Sequence, residues 1–273
     1  KYENGFVIQI PLSTAGSGTD FVHSRDDFDA IVERRRKELG GAFGRTQIKI
    51  TPFLSGPSLN CTACVVNGEV ALSQPDIQIV GDPGMVSTAG QYIGSDFSQH
   101  AFPKRIRSRI LDTMRKTGRW MGANGYRGNF GIDFLTTLDK KGVVNDVFVS
   151  EINARLVGES QYMADFQAMK NVVPLSFFHL AEFFELDIKP DWIRKYNEAL
   201  PDIEGSALLI YNREKGTFRA PGKLRTGIFR MVDGRLERIR DGYLLYETKN
   251  SDEFVVTNGT PWEDMVIGHP RYG

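Results

Sequence analysis

Asp133, Glu151, Asn153 and Arg155 are the residues of this sequence whose types and spacing could do chemistry together. Asp133 closes the stretch Gly125-Tyr-Arg-Gly-Asn-Phe-Gly-Ile-Asp133, and the others lie in Glu151-Ile-Asn-Ala-Arg155. Between them come an apolar segment, 134–137, a polar turn, Leu138-Asp-Lys-Lys-Gly142, and a β-rich segment, 143–149. That pattern predicts two antiparallel strands joined by a short loop. Asp133 then sits early on the first strand and Glu151 late on the second, so the carboxylates approach across the pair. Side chains alternate along a strand, which puts Glu151 and Asn153 on one face and lets Arg155 extend it. Such a face suits a hard cation such as Mg²⁺, which takes oxygen ligands and is commonly shared with substrate phosphates. The bland alternative is a solvated hairpin face with incidental charges.

A second stretch with chemical potential is Ser13-Thr-Ala-Gly-Ser-Gly-Thr19, between the β run 6–10 and an extended segment at 21–23. Glycines let backbone N–H groups approach an anion and the hydroxyls add donors, so it is a candidate phosphate cradle. It is not a P-loop, because no Gly-Lys-Ser/Thr follows. Taken alone, such a loop is more often just the tip of a hairpin. Cys61 and Cys64 form a single C-x-x-C on a predicted strand, 59–66. Their spacing of three puts the thiols on opposite faces, which suits neither one metal nor one disulfide, so both are expected to be structural. The four histidines, His23, His100, His179 and His269, lack metal-ligand spacing.

The elements that must position these residues follow from caps, turns and periodicity. Ser24 is an N-cap, with Asp26 and Asp27 in the first turn of a helix running to Leu39 and stopped by Gly40-Gly41. Its apolar side comprises Phe28, Ile31, Val32 and Leu39. A strand is expected at 46–50, then a connector, 51–56. Strands at 59–66 and 69–73 flank Asn67-Gly68, a strong hairpin signal. The polar stretch 81–100 reads as a loop. A basic amphipathic helix over 102–122 buries Ile106, Ile110, Met114 and either Trp120 or Met121. Residues 166–185 read as mainly helical, with an apolar face including Leu175, Phe178, Leu180 and Phe183. From Ala207 onward short strands with turns at Asp233-Gly234, Asp241-Gly242 and Asn258-Gly259 suggest a β-rich appendage.

Composition excludes some classes. The 273 residues carry 34 basic and 34 acidic side chains, a formal net charge of +0, so nothing favours nucleic acid or an anionic membrane as a bulk partner. No apolar run approaches the roughly 18 residues of a membrane span, and the N-terminus lacks a signal-peptide layout. A reducing, cytoplasmic setting is the expectation from the thiols. The chain opens on Lys1 with a strand almost at once, which suggests a piece of something longer.

The order of parts (strand, glycine loop, strand, helix, hinge, then a sheet with paired carboxylates) resembles the ATP-grasp superfamily of the carboxylate–amine ligase type, whose members include biotin carboxylase and D-alanine–D-alanine ligase. The resemblance spans roughly residues 5–185 and is most specific at Gly125-Tyr-Arg-Gly128, Asp133 and Glu151-Ile-Asn-Ala-Arg155. It implies an α+β fold of two subdomains enclosing a nucleotide: residues 1–50 with the glycine loop, 51–204 with the metal site, then a β-rich extension, 205–273. It implies ATP and Mg²⁺, with Mn²⁺ as the alternative ion, held by Asp133, Glu151 and Asn153. The cofactor-binding set would be Gln9, Ser13, Thr14, Gly16, Ser17, Gly18, Thr19 and Lys49, with Thr51, Pro52, Phe53 and Leu54 as the hinge that meets adenine. Arg155, Arg127 and Glu159 would act on the reacting groups, Arg127 near the acid or amine substrate.

Two departures stand out. Gln9 occupies the position where relatives carry a phosphate-binding lysine, which leaves Lys49 as the substitute. The domain that usually precedes the module is also missing, so an N-terminal domain or partner chain would complete the site. The implied activity is ADP-forming ligation of a small carboxylate to an amine through an acyl phosphate. A nucleotide-binding regulatory module without turnover, or a phosphotransferase on the same fold, are the alternatives.

Overall fold

The structure, a computed structural model, describes residues 4–10, 18–86, 89–97, 103–211 and 225–257, and the backbone alone of 217–219 and 266–268. Two sheets organise its first two hundred residues. The smaller one has the order β2-β1-β3, from β1 (Phe6–Gln9), β2 (Thr19–Val22) and β3 (Lys49–Pro52). Ile10 N–H donates to Gly18 O at 2.9 Å where the β1–β2 connection begins and ends. Of the expected glycine loop, Ser13, Thr14, Gly16 and Ser17 lie outside the described residues. Helix α1 (Arg25–Leu39) follows β2, and its start is set as the sequence indicates. Asp27 N–H donates to Ser24 Oγ at 3.0 Å and Ser24 N–H to Asp27 Oδ2 at 2.9 Å, a reciprocal cap. Its apolar side is only half buried. Arg34 and Arg35 fix it to the sheet by pairing with the buried Asp20 of β2.

The larger sheet has seven strands: β4 (Ser58–Val66), β5 (Glu69–Leu72), β6 (Asp76–Val80), β7 (Tyr92–Asp96), β8 (Gly128–Leu138), β9 (Val144–Asn153) and β10 (Ser206–Leu208). Their order is β10-β7-β6-β4-β8-β9, with β5 continuing the β6 edge of β4, and every pairing is antiparallel. Asn67 (φ 47°) and Gly68 (φ 78°) make the tight turn between β4 and β5. The expected loop over 81–100 is corrected: it contains β7, and the Tyr-Ile-Gly-Ser-Asp sequence of that strand has too little alternation to announce it. β10 lies in the expected C-terminal extension yet forms the edge of this sheet.

One face of the large sheet packs on α2 (Lys104–Ala123). Leu59, Cys61, Ala63 and Val65 of β4 meet Phe130, Ile132 and Phe134 of β8 and Ile106, Ile110, Met114 and Met121 of the helix. Met121 is the buried member of the expected pair, and Trp120 is exposed. At one end of the other face, Cys64, Val66 and Ala71 pack against α3 (Ser160–Met169), α4 (Leu175–Phe183) and α5 (Pro190–Glu198). The segment 166–185 is mainly helical as expected, comprising the end of α3 and all of α4. Pro174 cannot continue α3 and instead caps α4. Leu175 and Phe178 are buried as expected, whereas Leu180 and Phe183 are exposed. Both thiols are free and buried, one in each core, as their spacing requires.

Beyond the sheet, β12 (Gly227–Val232), β13 (Arg235–Arg240) and β14 (Phe254–Val256) form a small sheet, with Asp233 (φ 48°) and Gly234 (φ 72°) in its hairpin turn. β11 (Thr217–Arg219) pairs with β15 (Val266–Gly268).

Candidate active site

The uncovered part of the large sheet's second face is polar, and its side chains form ordered rows. In one row Asp76 of β6 stands opposite Asn60 of β4, Asn60 opposite Asp133 of β8, and Asp133 opposite Glu151 of β9. In the next row Thr62, Gly131 and Asn153 are aligned. Side chains of directly opposed residues share a face, so these groups look the same way.

A bulge makes this possible. Phe134 pairs with Val149 and Asp133 with Glu151, leaving Ser150 as an extra residue in β9. Val147 and Val149 sit opposite Thr136 and Phe134, on the helix side of the sheet. Plain alternation would have kept Glu151 and Asn153 on that same side. The extra residue reverses the parity, so both join Asp133.

Asp133 is the centre of a carboxamide shell. It accepts from Asn60 Nδ2 at 2.7 Å and Gln78 Nε2 at 3.0 Å on one oxygen, and from Asn153 Nδ2 at 3.1 Å on the other. Burial pushes its carboxyl above the usual range and the nearby Glu151 adds to this, while the three amides pull the other way. Arg155 donates to Asn153 Oδ1 at 3.1 Å. Glu159, beyond the turn, is buried with Thr62 Oγ at 3.5 Å. Desolvation raises it to about 7, and the Asp133 charge adds to that, against the pull of Arg155. Asp76 is also buried, and desolvation together with Glu159 pushes it up, while Ser95 holds it by a hydrogen bond.

Could these residues hold Mg²⁺? A carboxylate has about four lone-pair directions, and three of those on Asp133 already take N–H donors. The remaining one is on the oxygen shared with Asn153, Glu151 stands opposite Asp133 in the strand pair, and all three side chains can offer oxygen. The set fits a hard cation that completes its shell with phosphates or water. Among the described residues no three acidic, histidine or cysteine side chains gather round one ion-sized volume, so the amide and the substrate would have to contribute.

Comparison with known proteins agrees with this architecture. The chain superposes on an L-amino acid ligase from Bacillus licheniformis with a TM-score of 0.55 at 15% identity, covering 100% of this chain and 60% of that one. It superposes on the biotin carboxylase domain of the 2-oxoglutarate carboxylase of Hydrogenobacter thermophilus, a structure containing MgADP, ADP and bicarbonate, with a TM-score of 0.53 at 14% identity, covering 96% and 51%. The chain has the ATP-grasp fold.

Over 93 residues the sequence is 31% identical to an L-propargylglycine–L-glutamate ligase of Streptantibioticus cattleyicolor, 34% of this chain and 18% of that protein. No protein-family model matches the sequence. The chain thus spans 51–60% of the length of the two solved ATP-grasp proteins above. Among the described residues no helix is long and apolar enough to cross a membrane.

Within this ATP-grasp fold the expected residues separate into three groups. Asp133, Glu151, Asn153 and Arg155 are brought together, and Glu159 stands close by. On the small sheet, Gln9 lies directly between Thr19 and Lys49, so these three share a face, with Thr51 beside them on β3; Gly18 precedes Thr19. Pro52 ends β3 and points to the other face with Ile8 and Ile50. Phe53 and Leu54 lead to Gly56, whose N–H donates to Thr136 O at 3.1 Å and joins the small sheet to β8.

Arg127 stands apart from these groups. It precedes β8, six residues before Asp133, and a strand rise of about 3.3 Å per residue puts it roughly 20 Å away along the chain. Its guanidinium donates to Glu182 Oε1 at 2.6 Å and Glu182 O at 2.8 Å, and it stacks on Phe183. Gly128 beside it has φ +93° and leaves no room for a Cβ against His179, so the flanking glycine serves the contact with α4 rather than an open pocket. Arg127 therefore ties β8 to α4.

Sequence reasoning missed Asn60, Thr62, Asp76, Gln78 and Ser95. The signal was present: Asn60 and Thr62 alternate with Leu59 and Cys61, and Asp76 and Gln78 with Ile77 and Ile79. A hollow of about 480 Å³ elsewhere, between α2 and α5, is lined by Arg115 and Arg194, whose charges are already paired with Asp112, Asp191 and Glu198. Arg119 also lines it, but no buried unpaired carboxylate does, and the polar sheet face is the better candidate.

Proposed function

We propose that this chain carries the nucleotide and metal site of an ATP-dependent, ADP-forming ligase that joins a small carboxylate to an amine through an acyl phosphate. The observation that carries this reading is the bulge-directed convergence of Asp133, Glu151, Asn153 and Arg155 on one face of an ATP-grasp sheet. A surface hairpin would have no reason to bury Asp133 behind three carboxamides.

Mg²⁺, held by Asp133, Glu151 and Asn153, would neutralise phosphate charge and orient the nucleotide. The remaining work belongs to the side chains. A carboxylate oxygen of the acid attacks the γ-phosphorus and ADP leaves. The amine nitrogen then attacks the acyl carbon, loses a proton, and phosphate departs with the bonding electrons. Arg155, anchored on Asn153, is a fixed cation for the charge that builds on phosphoryl and acyl oxygens; one such preorganised donor is worth on the order of 10²–10³ in rate. Glu159, raised to about 7 by burial, is matched to accepting the amine proton near neutral pH. On the small sheet, Lys49 supplies the positive charge that Gln9 lacks, from the adjacent position on the same face.

The test is ADP release by the chain with ATP and Mg²⁺ against a panel of L-amino acids offered singly and in pairs. Release only when a free carboxylate and a free amine are both present supports the ligase. Nucleotide binding without turnover would favour a regulatory module, and a stable phosphorylated product a phosphotransferase.

A further inference from the structure

We propose that Asp76, with Glu159, forms the subsite that holds the protonated amine of the second substrate. The proposal rests on the ligase reading for its role in catalysis, though not for the binding it asserts. Asp76 is 2% exposed and Glu159 3% exposed. The Asp76 side chain is bonded by Ser95 on one side, and its Oδ2, fully buried, has no hydrogen-bond partner among the described residues. Glu159 has only a long contact, Thr62 Oγ at 3.5 Å. Neither carboxylate makes an ion pair among the described residues.

Two buried carboxylates, Asp76 with an orphaned oxygen and the charge of Glu159 near it, are a costly arrangement in an empty protein. A cation placed between them removes both penalties. Three features favour an ammonium over a metal. The hydroxyls here are neutral: Ser95 bonds Asp76, the Tyr92 hydroxyl lies 2.9 Å from Ser95 Oγ, and Thr62 contacts Glu159. No acidic or histidine trio surrounds an ion-sized volume among the described residues. The amides that could have joined Asp76, from Asn60 and Gln78, are turned to Asp133 instead. A primary ammonium brings three N–H donors, and the orphaned Oδ2 and the Glu159 carboxylate are acceptors for them.

Position supports the same assignment. Asp76 and Asp133 share one row with only Asn60 between them, so their backbones are two strand spacings, about 10 Å, apart. That places an amine beside the expected phosphoryl site without competing for its metal. Asp76 holds the ammonium; Glu159, next to it, takes one proton from it, which frees the nitrogen lone pair for attack, and the proton lost after attack leaves on the departing phosphate.

The experiment is a ligand-observed NMR titration of the whole chain with L-alaninamide, which has an ammonium and no carboxylate, and with N-acetyl-L-alaninamide, which has neither. Wild type should bind the first and not the second. Asp76→Asn, which keeps shape and removes a buried charge, should weaken L-alaninamide at least tenfold and leave ATP affinity within about twofold. Glu159→Gln should weaken it too, giving a second variant if the first folds poorly. Equal binding by wild type and both variants, no binding by wild type, or equal binding of the acetylated compound overturns the subsite. Failure of wild type to bind ATP would instead strike the ligase reading, and the ammonium titration would still decide this proposal.

Discussion

Glu159→Gln should make the empty protein more stable and the enzyme inactive, with a pH dependence that identifies the cause. The carboxyl is 3% exposed, and burial, together with the Asp133 charge, raises it from an ordinary 4.5 to about 7. Below 4.5 it is protonated both folded and unfolded, so it contributes no difference. As pH rises from 4.5 to 7 the unfolded chain releases the proton more readily, and the folded state loses stability. Each pKa unit corresponds to about 1.4 kcal/mol, so the full loss above 7 is roughly 3 kcal/mol. Glutamine keeps the shape and the contact with Thr62 and cannot ionise. Urea unfolding should therefore show the variant about 2–3 kcal/mol more stable than wild type at pH 8 and within about 1 kcal/mol at pH 4. Turnover should fall on the order of 10²-fold or more, the usual worth of a positioned base. A variant that is less stable than wild type at pH 8, or a difference that does not change with pH, would refute the reasoning.

Three further outcomes are expected. Arg127→Lys loses the two-point grip on Glu182 and should cost about 1–3 kcal/mol in urea unfolding, the worth of a hydrogen bond to a buried charged partner, while leaving the KM for the carboxylate unchanged; a raised KM with unchanged stability would return Arg127 to the site. Lys49→Met keeps length and removes charge, so ATP affinity measured by calorimetry should fall about tenfold, roughly 1.4 kcal/mol, with equal affinity showing that the small sheet draws its phosphate cation from elsewhere. Burial pushes both thiols upward, so Cys61 and Cys64 should resist a thiol-reactive disulfide reagent in the native protein and react only after unfolding; rapid native labelling would contradict their packing in the two cores.

What the sequence made legible was whatever depends on near neighbours. The Ser24–Asp27 cap, the Asn67-Gly68 turn and the opposite facing of Cys61 and Cys64 each follow from a few adjacent residues and a known period. The ATP-grasp fold was legible because Asp133, Glu151, Asn153 and Arg155 lie on one hairpin. Features needing distant strands were not. Asp76 and Gln78 look like the solvent face of an alternating strand until β4 and β8 are laid beside them, 55 residues separating Gln78 from Asp133. The Ser150 bulge has no sequence mark, yet without it Glu151 would point at α2. Arg127, six residues from Asp133 in sequence, is set far from it by an extended strand and pairs with Glu182 instead.

The most direct test of the central claim is positional isotope transfer. The chain is incubated with ATP, Mg²⁺ and a panel of L-amino acids carrying ¹⁸O in their carboxylates, and the released phosphate is analysed by mass spectrometry. Attack of a carboxylate oxygen on the γ-phosphorus, followed by displacement by an amine, requires one ¹⁸O in each phosphate formed. Phosphate released without label, or label retained wholly in the amino acid, would contradict the acyl-phosphate ligase.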